Sequence, residues 1–467
     1  MLIREKCFWI LGVVAILGIL FISGCVQKRA FRGTSPNISS EGEIFGHALT
    51  NCIDITSPGV YYLTADIINS SQSYCINISA NNVTLDCQGH LIDGDDSADY
   101  GIYIYRDSEQ ITNITIRNCI MQDWDVANIY FKNADGNTIV NATSSSSPGE
   151  GIFLDSSDSN TLKNITANSN NVDGIYLENS NSNTLQEITA NFNGYGISLA
   201  NSNSNTLQNI TANSNNRHGI YLGYNSNSNI LQDITANSNG YGIYLHRFSN
   251  SNTLTNITAN SNGIGICLWY VISNTLQDIT ANSNGIGIYL DSSGSNTLTN
   301  ITANSNDYGI LIRSSNSNTL TNSTIANNGE AGLSLDVVFY NSKNNKIYNC
   351  LFNNSVNVKI DSDITGENYF NTTKQLGTRI YSAGGYIGGN YWTNPTGNGY
   401  SDTCVDSNKD GFCDEPLNLS NGTSVAYDYL PLSDEYTTTT TTTLPPGLPP
   451  QESGSDAREA RVENSIP

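Results

Sequence analysis

The sequence predicts an all-β chain, a parallel β-solenoid of about twelve rungs of 22–24 residues with a small C-terminal cap. Three observations carry that expectation. An Asn ahead of a short apolar segment recurs at Asn137, Asn160, Asn183, Asn205, Asn229, Asn252, Asn274, Asn296 and Asn318, with a weaker copy at Asn345. Within a copy the apolar letters, such as Leu254, Ile257, Ala259, Ile266 and Leu268, fall where short strands would turn them inward. Charged residues make up only 13% of the chain against 38% hydrophobic, so its polarity is that of Asn, Ser and Thr at corners rather than of an ionic disordered segment.

The elements follow in chain order. Arg4 and Lys6, an apolar run from Cys7 to Ile22 and the segment ISGC ending at Cys25 have the layout of an export signal. The run is shorter than the ~20 residues of a comfortable spanning helix. ISGC is similar to a lipobox, so residues 1–25 read as a signal peptide or a lipoprotein-type anchor and 26–45 as a tether. Both readings place the rest outside the cell, anchored to its surface through the N-terminal segment only.

Residues 46–360 read as the coil. Each copy supplies two or three short strands joined at corners of Asn, Ser and Gly, of which Asn and Gly tolerate left-handed backbone. Asn160, Asn183 and Asn205 are expected to stack rung on rung, amide to amide, with Asn168, Asn191 and Asn213 forming a second ladder. One rung cannot bury enough apolar surface to stand alone, so the array should fold as one coil with capped ends. Residues 361–435 leave the repeat and read as the cap, and 436–467, with Thr437 to Thr443 and LPPGLPP, as an extended stalk and tail.

These residues resemble the right-handed parallel β-helix proteins of the NosD-like type, related to carbohydrate-binding and sugar-hydrolase β-helices. The resemblance spans approximately Cys52 to Leu432 and rests on NNVTLDCQGHLIDG (Asn81 to Gly94), the NTLxxITANSNxxGIYL rungs, GGYIGGNYWTN (Gly384 to Asn394) and YDYLPL (Tyr427 to Leu432). The combination looks like that of archaeal surface proteins. It implies a right-handed β-helix and a cell-surface setting, but a scaffold of this kind hosts many tasks. The NosD name implies copper; with 4 His, scattered, and 2 Met in the chain, no copper is expected here.

Composition excludes one partner class. With 42 acidic against 20 basic side chains and a net charge of -22, a polyphosphate would be repelled, and nucleic acid is not an expected partner.

Structural letters repeat, so functional ones should break the repeat. The residue after each GIYL-type strand runs Asp155, Glu178, Ala200, Gly223, His246, Trp269, Asp291 and Arg313. With the next column, one edge carries Tyr224, His246, Arg247, Trp269 and Tyr270, a candidate platform for sugar rings. The outward column Phe153, Tyr176, Tyr221, Tyr244 and Tyr289 reads instead as cross-strand packing. Candidates for catalysis are Asp155, Glu178, Asp173, Arg217, His218 and His246, but none forms a hydrolase-like NTD…DD…GHG or epimerase-like DPHD pattern, and no catalytic set is assigned. His90 reads as structural.

The segment DSNKDGFCDE places Asp406, Asn408, Asp410, the Phe412 carbonyl and Asp414 at positions 1, 3, 5, 7 and 9 of a calcium loop, with Leu417 where an EF-hand has Glu. Structural calcium is expected, in a loop that looks closer to the thrombospondin or dockerin type. Cys404 and Cys413 bracket it and are candidates for a disulfide, while among Cys52, Cys75 and Cys87 one bridge would leave a thiol over. Cys119 and Cys350 read as buried small hydrophobes, Cys267 as outward without a known partner. Sequons at Asn164, Asn209, Asn256 and Asn300 recur at one rung position. The preferred function is binding or structural display, with polysaccharide or cell-surface glycan as partner. A polysaccharide lyase, epimerase or hydrolase on the same scaffold, and a purely structural envelope protein, are the alternatives.

Overall fold

The computed structural model describes residues 46–107, 109–420 and 426–435. The export segment, the tether and the Thr/Pro-rich stalk lie outside the described residues.

The chain winds as a parallel β-helix. One face is a sheet of fourteen strands from Ile53–Ile55 to Val358–Ile360, one per turn, in keeping with the solenoid of about twelve rungs expected. A second sheet of twenty strands forms the rest of the wall. Equivalent letters are physical neighbours: Leu185 pairs with Leu207, Ile188 with Ile210 and Ile197 with Ile220. The twenty-stranded sheet is bent, because the fourth residue of each six-residue strand is left-handed, as at Asn164 (φ 53), Asn209 (φ 58) and Asn256 (φ 54). That bend is why Leu162 and Ile165, three positions apart rather than two, both point inward, and why Asn, Asp or Glu fills it in most rungs. Near the C-terminal end the same bend, at Asn322 (φ 53), parts Thr319–Thr321 from Thr324–Ala326. The sequon residues Asn164, Asn209, Asn256 and Asn300 all occupy this exposed corner.

The Asn ladders are present, but their first partner is backbone. Asn160 N–H donates to Asn183 Oδ1 at 2.7 Å and Asn183 N–H to Asn205 Oδ1 at 2.8 Å, while amide-to-amide bonds such as Asn205 Nδ2 to Asn229 Oδ1, 3.1 Å, come second. The second ladder runs in the opposite sense, Asn191 N–H and Asn213 N–H each reaching back to the Oδ1 of Asn168 and Asn191 at 2.7 Å. A buried ladder that the sequence reading missed runs through Asn170, Asn193, Asn215 and Asn239. Carboxamides satisfy the corner N–H groups that a turn would otherwise bury unpaired.

The cysteines correct two expectations. Cys52 pairs with Cys75 and Cys87 with Cys119, so Cys119 is a bridge partner rather than a small hydrophobe, and no thiol is left over at that end. Cys404 and Cys413 form the third disulfide, while Cys267 and Cys350 are free and buried. Cys267 does lie in the outward column, between Tyr244 and Tyr289, which leave it 3% exposed.

The boundary between coil and cap also shifts. Tyr391–Thr393, inside the region expected to be cap alone, pairs in parallel with Leu351–Asn353 and adds a strand to the coil. Trp392 stacks on Phe352 at 4.6 Å and closes the core. Asp428 of the YDYLPL segment accepts hydrogen bonds from Asn390 N–H and Trp392 Nε1–H at 2.8 Å and Leu430 N–H at 3.0 Å, which joins the two C-terminal motifs. Burial pushes its carboxyl up to about 7.

Candidate functional site

In the fourteen-stranded sheet a strand such as Tyr241–His246 buries Ile243 and Leu245, and turns Tyr244 and His246 to the outer face. Tyr241 joins them, its ring stacked on that of Tyr244 at 5.0 Å. Because the register is parallel, these outer residues form columns. At the N-terminal end the outer rings stack on one another: Tyr100 on Tyr130 at 4.9 Å, Tyr130 on Phe153 at 4.8 Å and Phe153 on Tyr176 at 4.9 Å. Phe153 and Tyr176 therefore pack on their neighbours as the sequence reading expected of them.

Further along, the repeat-breaking residues come together. His246 and Trp269 are register partners, and their rings stack at 4.9 Å with planes 14° apart. Tyr244 stacks on His246 at 5.1 Å, and the Tyr221 hydroxyl meets His246 Nδ1 at 2.9 Å. Tyr224 stands edge-on to His246 at 6.0 Å, and Tyr270 tilts against Trp269 at 5.6 Å. His246 is only 9% exposed, so it lies beneath the platform while Tyr224, Arg247 and Tyr270 are exposed and Trp269 half-buried. Burial, and then the charge of Arg247, holds the His246 imidazole below its usual range, so the ring is neutral at pH 7. Its Nε2 is buried without a hydrogen-bond partner among the described residues.

The backbone marks the same edge. Tyr224 (φ 52), Arg247 (φ 43) and Tyr270 (φ 55) are left-handed, at the register position that Ser156, Asn179, Asn201, Ser292 and Ser314 occupy in other rungs. Bulky side chains are costly there, by about 1 kcal/mol or more each. Three successive rungs carry that cost where the aromatic cluster stands.

A second cluster lies on the same face, at the start of the strands. By the register Ile152 to Ile175, Glu150 lies opposite Asp173, and Asp173 in turn pairs with Tyr195, then Tyr195 with His218. Asp173 is 6% exposed and accepts the Ser198 hydroxyl at 3.1 Å; burial, and then Glu150, pushes its carboxyl up to about 8. Arg217 donates to the Tyr195 hydroxyl at 2.9 Å. Burial pushes His218 down to about 4. Of the catalytic candidates, Asp173, Arg217 and His218 thus share one neighbourhood. Asp155 and Glu178, register partners at the far end of the strands, are separate, and Asp155 is engaged by the Tyr130 and Ser156 hydroxyls. Glu150 and Tyr195 were missed, although the residue before each Gly-Ile pair varies from rung to rung as visibly as the residue after each strand, and so was Ser198, which breaks the outward aromatic column between Tyr176 and Tyr221.

The Asp406–Asp414 loop closes on itself. The Asp406 carboxylate accepts Asp410 N–H at 3.2 Å and Gly411 N–H at 2.8 Å, and Asn408 Oδ1 accepts Asp410 N–H at 2.9 Å. Asp410 accepts Phe412 N–H at 3.0 Å and pairs with Lys374 Nζ at 2.7 Å, and Asp414 turns to Ser407. Among the described residues no three His, Cys, Asp or Glu side chains converge to hold a metal ion. As arranged, the loop donors do not fit a calcium cage, because an ammonium stands on one of them.

Fold and register define the class: the chain is a right-handed parallel β-helix protein. Residues 51–188 and 127–276 match the family model of the right-handed beta helix region, and residues 208–397 match that of the periplasmic copper-binding protein (NosD). No curated protein sequence matches. Among solved structures, the mannuronan C-5 epimerase AlgE4 A-module of Azotobacter vinelandii is similar at 14% identity over 69% of this chain and 90% of its own, with a TM-score of 0.42. The catalytic domain of a GH87 alpha-1,3-glucanase in complex with nigerose is similar at 12% identity over 72% and 70% of the two chains, TM-score 0.44. The Dettilon tailspike protein follows at 13% identity over 68% and 65%, TM-score 0.42. At these values the likenesses say nothing of the site.

Proposed function

We propose that this is an exported β-helix protein that recognises a polysaccharide or cell-surface glycan through the edge from Tyr224 to Tyr270. The observation that carries the reading is the Tyr244–His246–Trp269 stack, flanked on successive rungs by Tyr224, Arg247 and Tyr270 in costly backbone conformations. The stacked rings cover one another's faces and form a rigid base, so the exposed rings of Tyr224 and Tyr270 are the ones that can meet the C–H face of a sugar, and Arg247, which carries no side-chain hydrogen bond or ion pair among the described residues, is left to bond hydroxyls. Three disulfides support an oxidising, extracytoplasmic location, and attachment through the N-terminal segment belongs to the same reading.

A glycan array tests it, followed by titration of positive glycans against the Trp269→Ala, Tyr270→Ala double variant. Of the three Trp among the described residues, Trp124 and Trp392 are fully buried, so ligand-dependent fluorescence from them should come from Trp269. Loss of about tenfold or more in affinity is expected. Unchanged binding by the double variant would remove the edge from the mechanism.

The Asp173 neighbourhood favours a second reading, a polysaccharide-modifying enzyme. A carboxylic acid that keeps its proton at pH 7, next to the Arg217–Tyr195 pair and two rungs from a neutral His218, has the parts for proton transfer. Appearance of unsaturated or reducing ends on incubation with uronic and neutral polysaccharides, abolished by Asp173→Asn, would establish it; no turnover leaves the binding reading alone.

A further inference from the structure

The corner beyond Trp269 holds a groove made by two irregular rungs with two small ones between them. Where other rungs put Ser and Asn, the first has Tyr270, Val271 and Ile272; Val271 is fully buried in line with the corner serines, its N–H donating to Ser293 Oγ at 3.1 Å, and Ile272 is 52% exposed. The next two carry Ser292, Ser293 and Gly294, then Ser314, Ser315 and Asn316. The fourth is longer, since Asn318 hands its ladder bond to Asn345, 27 residues on, where Asn296 hands its own to Asn318, 22 on. The excess bulges outward as Val338, Phe339 and Tyr340, 54%, 71% and 64% exposed. Ser314 Oγ accepts the N–H groups of Val338 and Phe339, both at 3.1 Å, and so pins the bulge to the floor. Between Tyr270 with Ile272 on one side and Tyr340 on the other lies a groove of about 400 Å³ floored by Ser292, Gly294, Ser314 and Asn316. Gly294 keeps the floor low, since a Cβ there would meet the Asn316 carbonyl at 2.9 Å.

The chemistry of the walls selects the occupant. The lining has hydroxyls, an amide, backbone and two phenol rings, and no carboxylate, ammonium, guanidinium or imidazole. Nearby, Asp291 and Arg313 neutralise one another as an ion pair. The whole chain carries a charge of -22, which opposes an anionic polymer. The walls stand three rungs apart, about 14 Å at the usual strand spacing, which leaves room for sugar rings laid along the coil axis.

We infer that this groove is a subsite for a neutral glycan segment, with Tyr270 and Tyr340 stacking on sugar faces at its two ends. The inference rests on the glycan-recognition reading and adds the charge class of the ligand and a residue, Tyr340, that lies 70 positions from Tyr270 in sequence. The test measures wild type, Tyr340→Ala and Tyr340→Phe against neutral oligosaccharides (gluco-, manno- and galacto-hexaoses) and against oligogalacturonate and alginate hexamers. Expected are binding of a neutral oligosaccharide only, tenfold or greater weakening in Tyr340→Ala, and retention in Tyr340→Phe. Full-strength binding by Tyr340→Ala, or preference for the acidic oligomers, overturns the groove assignment while the Trp269 edge survives. Absence of binding to every oligosaccharide overturns both.

Discussion

Replacing Arg247 by Asn separates a residue kept for a ligand from one kept for the fold. Arg247 sits at φ 43, and the same register position is Asn201 two rungs earlier and Asn179 three rungs earlier, so the fold itself accepts Asn there. A bulky side chain in left-handed backbone costs about 1–2 kcal/mol, most of which Asn avoids. Its backbone bonds, Arg247 N–H to Trp269 O at 3.0 Å and Asn225 N–H to Arg247 O at 3.2 Å, do not involve the side chain. Arg247→Asn should therefore stabilise the protein by about 1 kcal/mol, read as a higher urea midpoint at unchanged slope. Two further readouts accompany it. The His246 pKa should rise, because the Arg247 charge is one cause of its depression, and glycan affinity should fall. A variant destabilised by more than about 0.5 kcal/mol would show that the guanidinium serves packing, and the argument from backbone cost would fail.

Asn229→Ala removes the acceptor of Asn205 N–H, 2.8 Å, and the donor to Ser202 O, 3.1 Å, both buried; about 4 kcal/mol of destabilisation and faster exchange of the Asn205 amide are expected, against under ~0.5 kcal/mol for Asn256→Gly at the exposed left-handed corner. Asp173 holds its proton up to about pH 8 in the folded chain but ionises near 3.8 when unfolded, so native protein binds more protons in that window. Stability should decline as pH rises from about 4 to 8, and Asp173→Asn should flatten that share of the decline and melt higher than wild type at pH 9, while Asp428, raised in the same direction, keeps its own share in both proteins. For the Asp406–Asp414 loop we propose that calcium binds only when Lys374 leaves Asp410, so Lys374→Ala should enlarge the calcium-dependent rise in melting temperature and Asp406→Asn abolish it; identical melts with calcium and with chelator in Lys374→Ala would end the calcium reading.

The coil was legible because a periodic sequence writes the same inward letters into every turn: Leu162, Leu185 and Leu207 each predict where the next lies, and parallel register makes them neighbours. The ladders at Asn160 and Asn168 and the edge at Trp269 were visible for the same reason, as columns that hold or break. Tertiary structure alone decided what depends on lateral neighbours. Cys119 looks like any apolar letter of its rung until the previous turn brings Cys87 beside it. Asp173 stands out in the sequence as a candidate for catalysis, but its burial does not, because that arises only where Glu150, Tyr195 and Ser198 surround it and take away its water. Likewise the Tyr340 bulge is merely a long copy in sequence; its direction, set by Ser314, makes it the wall of a groove. Periodicity specifies repeated contacts, whereas burial, pairing and concavity arise from residues a full turn or more apart whose identities no repeat constrains.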